Sequence, residues 1–385
     1  MPKKPLWTSP FIALSIINFM TFFGFMMLMP VFPLYLDSLG IEKHEAGLIM
    51  ASFTVAVIPM RPVASRWLEK GRNRFCVVFG VVISVFATGA YWFAVSIPFL
   101  LFSRMLHGCG FGVSTVTYGT LVSNIVPSER RAEGMGYFGL SLSLAMCLGP
   151  WAGPFLFRNY GFGAVLVVSM LCILTVLPVV SKVQSHPKEI VEKKKFSLND
   201  VIEKSVWFPA VLCSLAGVGW STIIGFAALW AREISVDDIG SFFLVNAIFA
   251  FLVRLLAGKI ADRHGYAYVI IPSIISYSIG MYLVSIADGM TGLLCAAALL
   301  GSGLGILTPL IQAWMINEAP AERRSAAMAM YYNSYDVGIG IGLAFWGVYA
   351  RHFGFPNTFR TASIIVGFML LFYCIYQVKN RKLKI

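Results

Sequence analysis

Residues 108–131 read GCGFGVSTVTYGTLVSNIVPSERR, and residues 301–324 read GSGLGILTPLIQAWMINEAPAERR. One offset of 193 residues aligns the three glycines and the P-x-E-R-R ending of both stretches without a gap. The same offset pairs three further positions: Arg61 with Arg254, Met135 with Met328, and Arg158 with Arg351. The alignment indicates that half of a 385-residue chain was duplicated. In a membrane protein, two similar halves can rock about a site held between them and expose it to one side at a time.

The composition excludes an ordinary soluble domain. Hydrophobic residues make up 58% of the chain and charged residues 12%, whereas a soluble domain carries about 25% charged residues. Apolar stretches of the roughly 20 residues that a helix needs to cross a bilayer recur along the chain. The sequence therefore predicts an all-α membrane protein of twelve transmembrane helices in two six-helix bundles. The predicted ranges are 11–36, 45–67, 74–94, 98–123, 131–156, 162–181, 206–231, 238–261, 268–287, 290–315, 325–350 and 357–379.

The distribution of positive charge predicts the orientation of the chain. The formal net charge is +12, which by itself would also suit a nucleic-acid-binding protein. If twelve helices put both termini on one side, that side holds 24 of the 30 Lys and Arg residues. This asymmetry follows the positive-inside rule. We therefore expect a multi-pass protein of the plasma or inner membrane with both termini in the cytoplasm, in contact with lipid and without a nucleic-acid partner.

One polar segment divides the chain. Residues 182–205 contain the run Glu192-Lys-Lys-Lys195, which is typical of a solvated tether. We predict an N-terminal bundle over residues 1–181, a cytoplasmic linker over 182–205 and a C-terminal bundle over 206–385. The seven cysteines lack metal-ligand spacing, and no nucleotide loop or nucleophile constellation is present. We therefore expect no metal site, no cofactor and no enzymatic activity.

The segments after the second and eighth predicted helices carry a repeated charge pattern. Residues 254–265 read RLLAGKIADRHG, and residues 61–72 read RPVASRWLEKGR. An acid at a cytoplasmic helix end can pair with an Arg and with a helix N-terminus, which predicts a latch that forms in one state only. The second copy resembles the G-x-x-x-D-R-x-G loop motif of the major facilitator superfamily, and the first copy departs from it at Ser65 and Glu69. The candidate latch residues are Arg61, Glu69, Arg254, Gly258, Asp262 and Arg263.

The fourth predicted helix carries an arginine inside the span. Arg104 is followed by His107 and Gly108, and a cation in a span costs about 2.5–3.5 kcal/mol on insertion scales. The pattern resembles the helix-4 motif of the same superfamily, which implies a role for Arg104 in proton coupling. The alternatives are that Arg104 snorkels to the outer interface and that His107 is structural.

The fifth predicted helix contains Gly149-Pro150-Trp-Ala-Gly153. The residues themselves predict a kinked helix that packs closely on a neighbour. The pattern resembles the antiporter motif of drug/proton exporters, although Ala145 and Pro154 stand where that motif has glycine. The resemblance implies export rather than import.

Asp336 is the one carboxylate that we place deep in a predicted span, and an ionisable group there predicts function. Tyr332 and Asn333 lie one turn before it on the same face. The structural alternative is a carboxylate paired with a nearby donor. We expect Asn18, Phe22, Trp220, Gln312, Tyr332 and Asn333 to line a central substrate cavity.

The resemblance to the superfamily covers essentially the whole chain and is closest to its twelve-helix drug/proton antiporters. It implies a secondary active transporter, monomeric, that exports a small molecule by alternating access in exchange for protons. Proton coupling would rest on Asp336, Arg104 and His107. Two alternatives remain open: a symporter or facilitator that imports a small metabolite, and a non-transporting receptor or lipid-handling protein.

Overall fold

The computed structural model describes residues 5–93, 96–127, 130–180, 203–320 and 323–382. Every regular element in these ranges is a helix, which confirms the predicted all-α fold. In chain order the elements are α1 (Ser9–Ser38), α2 (Lys43–Glu69), α3 (Asn73–Ala90), a 3₁₀ turn (Tyr91–Phe93), α4 (Ile97–Ile125), α5 (Arg131–Leu174), α6 (Leu177–Val180), a second 3₁₀ turn (Lys204–Val206), α7 (Trp207–Glu233), α8 (Ile239–His264), α9 (Ala267–Ile286), α10 (Met290–Glu318) and α11 (Arg324–Lys382).

Two long helices each replace a pair of predicted spans. α5 continues through Gly161 (φ 78°, ψ 178°), and α11 continues through Gly354 (φ 75°, ψ 170°). Glycine adopts such positive φ values at no steric cost, so a single residue makes the corner and no loop is needed. The two glycines are 193 residues apart, which shows that the duplication extends to backbone conformation. Divided at these corners, α5 and α11 supply the predicted fifth, sixth, eleventh and twelfth spans.

The helices have the length and polarity of membrane spans. Eight helical stretches of the described residues are long and apolar enough to cross a bilayer. Two of them, Tyr137–Leu174 and Ala326–Val378, contain the glycine corners. A twenty-residue helix already covers about 30 Å. The chain is therefore a multi-pass membrane protein.

The chain forms two compact units. The first unit comprises Met1–Tyr35 and Leu48–Lys194, and the second comprises Leu36–Gly47 and Lys195–Ile385. The segment that joins α1 to α2 thus belongs to the second unit. Three ion pairs hold this segment on the C-terminal end of α7 and on α11 beside its Gly354 corner, each with an N···O distance of 3.1 Å: Asp37 with Arg232, Lys43 with Glu233, and Glu42 with Arg351.

The duplication is visible in how the helices pack. In the first unit α4 presses Gly108 onto the Phe53 carbonyl of α2, and in the second unit α10 presses Gly301 onto the Asn246 carbonyl of α8. A methyl group at either glycine would overlap the carbonyl oxygen it faces. The same correspondence holds one turn along, where Gly112 faces α2 and Gly305 faces α8. Small residues allow this close backbone contact, which takes the place of a hydrophobic driving force between helices in lipid.

Candidate functional site

The first unit encloses a buried cation. Arg104, near the N-terminal end of α4, is 1% exposed. Its guanidinium carbon lies 4.7 Å from the ring centre of Phe32 and 5.1 Å from that of Phe53. These rings come from α1 and α2, so three helices converge on one charge. The burial excludes the alternative in which Arg104 snorkels to the outer interface.

His107 lies beside this cation and has a defined partner. Its Nδ1 atom is 3.0 Å from the Tyr91 hydroxyl, which sits in the 3₁₀ turn after α3. The imidazole also packs nearly perpendicular to the rings of Phe25 and Phe53, with ring centres 5.5 Å and 5.7 Å apart. Tyr91 is fully buried and also contacts Arg104. Arg104, His107 and Tyr91 therefore form one polar cluster inside an aromatic shell, which we call the Arg104 cluster.

The charge of Arg104 has no anionic partner in the part of the chain that the structure describes. Its Nε and Nη1 atoms are buried and make no hydrogen bond to any described residue. Every carboxylate of the described residues up to Val180 lies outside the helices or within three residues of a helix end. A desolvated charge without a partner is costly, by several kcal/mol in real proteins. Burying Arg104 therefore carries a free-energy cost that no ion pair with a described residue offsets.

The second unit holds Asp336 in a different setting. Asp336 is half-buried on α11, near Cys213 of α7 and Tyr335. The backbones of α7 and α11 touch here, since a methyl group at Gly338 would overlap the Ser214 carbonyl oxygen. Asp336 therefore lies two residues from a point where the backbones of two helices touch.

The residues predicted to line a cavity fall into two groups. In the first unit the Asn18 amide, 3% exposed, donates to Ser141 Oγ at 2.8 Å, and Phe22 packs edge-on against Phe111 at 5.1 Å. Asn18 thereby ties α1 to α5. In the second unit Gln312 Nε2 is 3.5 Å from the Tyr332 hydroxyl, so the structure brings these two together.

Two further cavity candidates remain predictions. Trp220 on α7 and Asn333 on α11 are half-buried. Tyr332 is the most exposed member of the predicted set in the second unit, at 41%. That exposure suits a side chain that meets solvent or ligand.

The predicted latch is described only in part. Arg254 Nε donates to the Gly305 carbonyl at 2.7 Å and so joins α8 to α10. Arg61 is half-buried, and Glu69 is exposed at the end of α2. The side chains of Gly258, Asp262 and Arg263 lie outside the described residues. The latch therefore stays a prediction.

The antiporter-like motif packs α5 against α1. A methyl group at Gly149 would collide with Met26, and one at Gly153 would overlap the Met27 carbonyl oxygen. Pro150, directly after Gly149, is buried. This is the close neighbour that the glycine spacing predicts.

Sequence reasoning missed a carboxylate at the start of the second unit. Glu203, before the second 3₁₀ turn, is 8% exposed, and its Oε2 lies 2.6 Å from Arg323 Nε of the second P-x-E-R-R stretch. The Arg323 hydrogen bond, helped by the Ser205 amide and hydroxyl, lowers the pKa of Glu203 from 4.5 to about 2. The sequence provides no signal for this pair, because the partners are 120 residues apart.

Comparisons with known proteins agree with the geometry. A profile described as Major Facilitator Superfamily matches residues 14–214 and again 209–384. An uncharacterized MFS-type transporter of Methanocaldococcus jannaschii is 26% identical over 91% of this chain and 95% of its own length. Multidrug resistance protein 2 of Bacillus subtilis is 22% identical over 93% of each chain. Quinolone resistance protein NorA of Staphylococcus aureus is 23% identical over 84% of this chain and 85% of its own.

Solved structures show the same fold. A mutant form of the nucleoside transporter NupG superposes with a TM-score of 0.77 at 12% identity, covering 96% of this chain and all of that one. A bacterial homolog of the human lysosomal transporter Spinster superposes with a TM-score of 0.71 at 15% identity, covering 96% and 97%. These proteins are transporters and not enzymes. With the profile matched along both halves, the chain belongs to the major facilitator superfamily and is a membrane transporter of small molecules.

Proposed function

We propose that this transporter exports its substrate by alternating access in exchange for protons, as a monomer with both termini in the cytoplasm. Relatives named for multidrug and quinolone resistance match it along most of their length. The Gly149-Pro150-x-x-Gly153 packing of α5 on α1 supports the same class. The proton is the coupling ion.

The observation that carries the coupling is the position of Asp336. Its carboxylate lies where the α7 and α11 backbones touch, beside Cys213. Because a charge is expensive in such an interior, adding a proton changes the free energy of this packing. To shift a two-state equilibrium from 1:99 to 99:1 takes about 5.5 kcal/mol of differential binding. Proton and substrate must therefore each prefer one state.

The test is gradient-driven uptake into inside-out vesicles with an acidic interior, measured with a fluorescent quinolone and with ethidium. We expect uptake by the wild type to collapse when the gradient is dissipated. Asp336→Asn should abolish the gradient-dependent part, because it removes the titrating group, and Asp336→Glu should retain much of it.

The matched control is Asp288→Asn, which alters a carboxylate between α9 and α10 and should leave uptake unchanged. Full gradient dependence in Asp336→Asn would exclude Asp336 as the coupling site. Uptake of either compound by right-side-out vesicles with an acidic exterior would favour an importer that moves substrate and proton in the same direction.

A further inference from the structure

The second copy of the repeat shows which residues occupy the positions of the Arg104 cluster in the second unit. At the offset of 193 residues Arg104 corresponds to Ala297, His107 to Leu300, and Tyr91 to Val284. These three counterparts in the second unit are apolar and fully buried.

The helix contact beside these positions recurs in both units. Gly108 meets the Phe53 carbonyl just as Gly301 meets the Asn246 carbonyl, and these residues also correspond at the same offset. The same helix contact therefore forms with alanine, leucine and valine at these positions. The Arg104 cluster is not required for this contact.

The partners of Arg104 are weak and replaceable. Its charge faces the rings of Phe32 and Phe53, and a cation–π contact contributes about 0.5–2 kcal/mol. Hydrogen bonds between a guanidinium and a carboxylate are roughly twice as strong as neutral ones, and they match the planar shape of both groups. Two of the three guanidinium nitrogens, Nε and Nη1, have no hydrogen bond to any described residue. A carboxylate that enters the cluster would accept charge-assisted hydrogen bonds from these nitrogens, which the aromatic rings cannot do.

The aromatic residues around the Arg104 cluster indicate which other chemical group the ligand carries. Phe25 lies at the centre of an aromatic group, with its ring centre 4.3 Å from Phe111 and 4.8 Å from Phe53, and Phe22 extends this group at 5.1 Å from Phe111. Phe22 and Phe53 are half-buried, so their faces remain partly open. Aromatic rings stack favourably on such faces. An acid group at Arg104 would therefore place an aromatic or apolar body against Phe22 and Phe53.

We propose that the Arg104 cluster is the subsite that holds the acid group of the transported molecule, and that the substrates include amphipathic aromatic carboxylates. This inference rests on the proposed transport function, whose coupling group Asp336 is in the other unit. Arg104 supplies the charge, while Tyr91 and His107 hold each other beside it. A free inorganic anion such as chloride could also pair with the Arg104 guanidinium, and the experiment distinguishes chloride from an aromatic carboxylate.

The experiment measures equilibrium binding to the purified protein in lipid nanodiscs, without a proton gradient. The probes are a panel of aromatic acids led by 1-naphthoate, each paired with its neutral carboxamide, in chloride-free buffer. For at least one pair we expect the wild type to bind the acid about tenfold more tightly than the amide, because the acid gains one charge-assisted contact. Arg104→Met should remove this preference, and Arg104→Lys should retain part of it.

The matched control is Arg158→Met, which removes an exposed arginine near the corner of α5 and should keep the preference. Equal binding of acid and amide across the panel, or an undiminished preference in Arg104→Met, overturns the proposal. Thermal stabilisation of the purified protein by added chloride, with no binding of any acid, also overturns the proposal. If Arg104→Met does not fold, the wild-type comparison and Arg104→Lys decide.

Failure of this site is distinguishable from failure of the proposed export. Asp336→Asn should keep the preference for acid over amide, whatever its effect on overall affinity, because Asp336 belongs to the second unit. Acid-selective binding without gradient-driven uptake would leave the subsite in place and overturn the coupling.

Discussion

The α2–α4 contact of the first unit and the α8–α10 contact of the second share a backbone and differ in chemistry. Glycines at corresponding positions press on carbonyl oxygens at corresponding positions. Beside them the first unit buries Arg104, His107 and Tyr91, whereas the second buries Ala297 and its apolar neighbours. Duplication thus preserved the helix contact, and the two copies diverged in the buried side chains beside it. A buried charge that one copy omits without loss of packing is better explained by function than by stability.

The largest expected effect comes from placing a buried arginine in the second unit at the position that corresponds to Arg104. Ala297→Arg should destabilise the second unit by at least about 4 kcal/mol or prevent folding, because it buries a long cation at a fully packed position. Arg104→Met should leave stability unchanged or raise it by up to about 4 kcal/mol, since an apolar chain of similar length replaces an uncompensated charge. Thermal unfolding of both variants in detergent measures the difference. A large loss in Arg104→Met would show that the cluster is structural.

The glycine contacts provide the next largest effect. Gly108→Ala and Gly301→Ala should each destabilise by about 2–3 kcal/mol, because the added methyl group meets a backbone carbonyl that cannot turn away. Gly119→Ala, in the same helix as Gly108 but in open space, should be neutral or stabilising by up to about 1 kcal/mol. Melting temperatures compare the three. Unequal losses at Gly108 and Gly301 would mean that the two contacts are not equivalent.

The smallest effect concerns the P-x-E-R-R stretches. Arg323 pairs with Glu203, whereas the residue 193 positions before Glu203 is Pro10. Glu203→Gln should therefore destabilise the second unit by about 1 kcal/mol at neutral pH, since the pair lies at the water edge.

This loss should depend on pH in a defined direction. The folded protein holds the pKa of Glu203 near 2, below its ordinary 4.5, so the stabilisation is fully present above about pH 5 and is lost as the pH falls toward 2. The difference in melting temperature between wild type and Glu203→Gln should narrow from pH 6 to pH 3. Glu69→Gln, at an exposed carboxylate, is the control. A pH-independent difference would contradict the ion pair.

Much of the fold was predictable because it depends on local and periodic properties. Span length, apolar composition and the 193-residue repeat depend on nothing beyond the chain itself, and they place twelve segments. The continuity of α5 through Gly161 and of α11 through Gly354 was not predicted. A glycine can end a helix or turn it through positive φ, and the packing around the corner selects between these outcomes.

The candidate sites were predictable only in part. Arg104 and Asp336 stand out in the sequence because ionisable groups are rare in spans. Their partners do not stand out. Phe32, Phe53 and Tyr91 are three among many aromatic residues, and Cys213 is one of seven cysteines. Nothing in the spacing of these residues marks them as neighbours of a charge.

The sequence by itself determined the membrane class, the duplicated halves and the identity of the rare buried ionisable groups, because composition and periodicity follow from the energetics of apolar helices in lipid. Only the tertiary structure decided that Arg104 is enclosed by rings from α1 and α2 beside a Tyr91–His107 pair. It also placed Asp336 against α7 and Glu203 on Arg323. The physical reason is that these environments come from residues distant in the chain, and contacts of that kind exist only once the helices have packed.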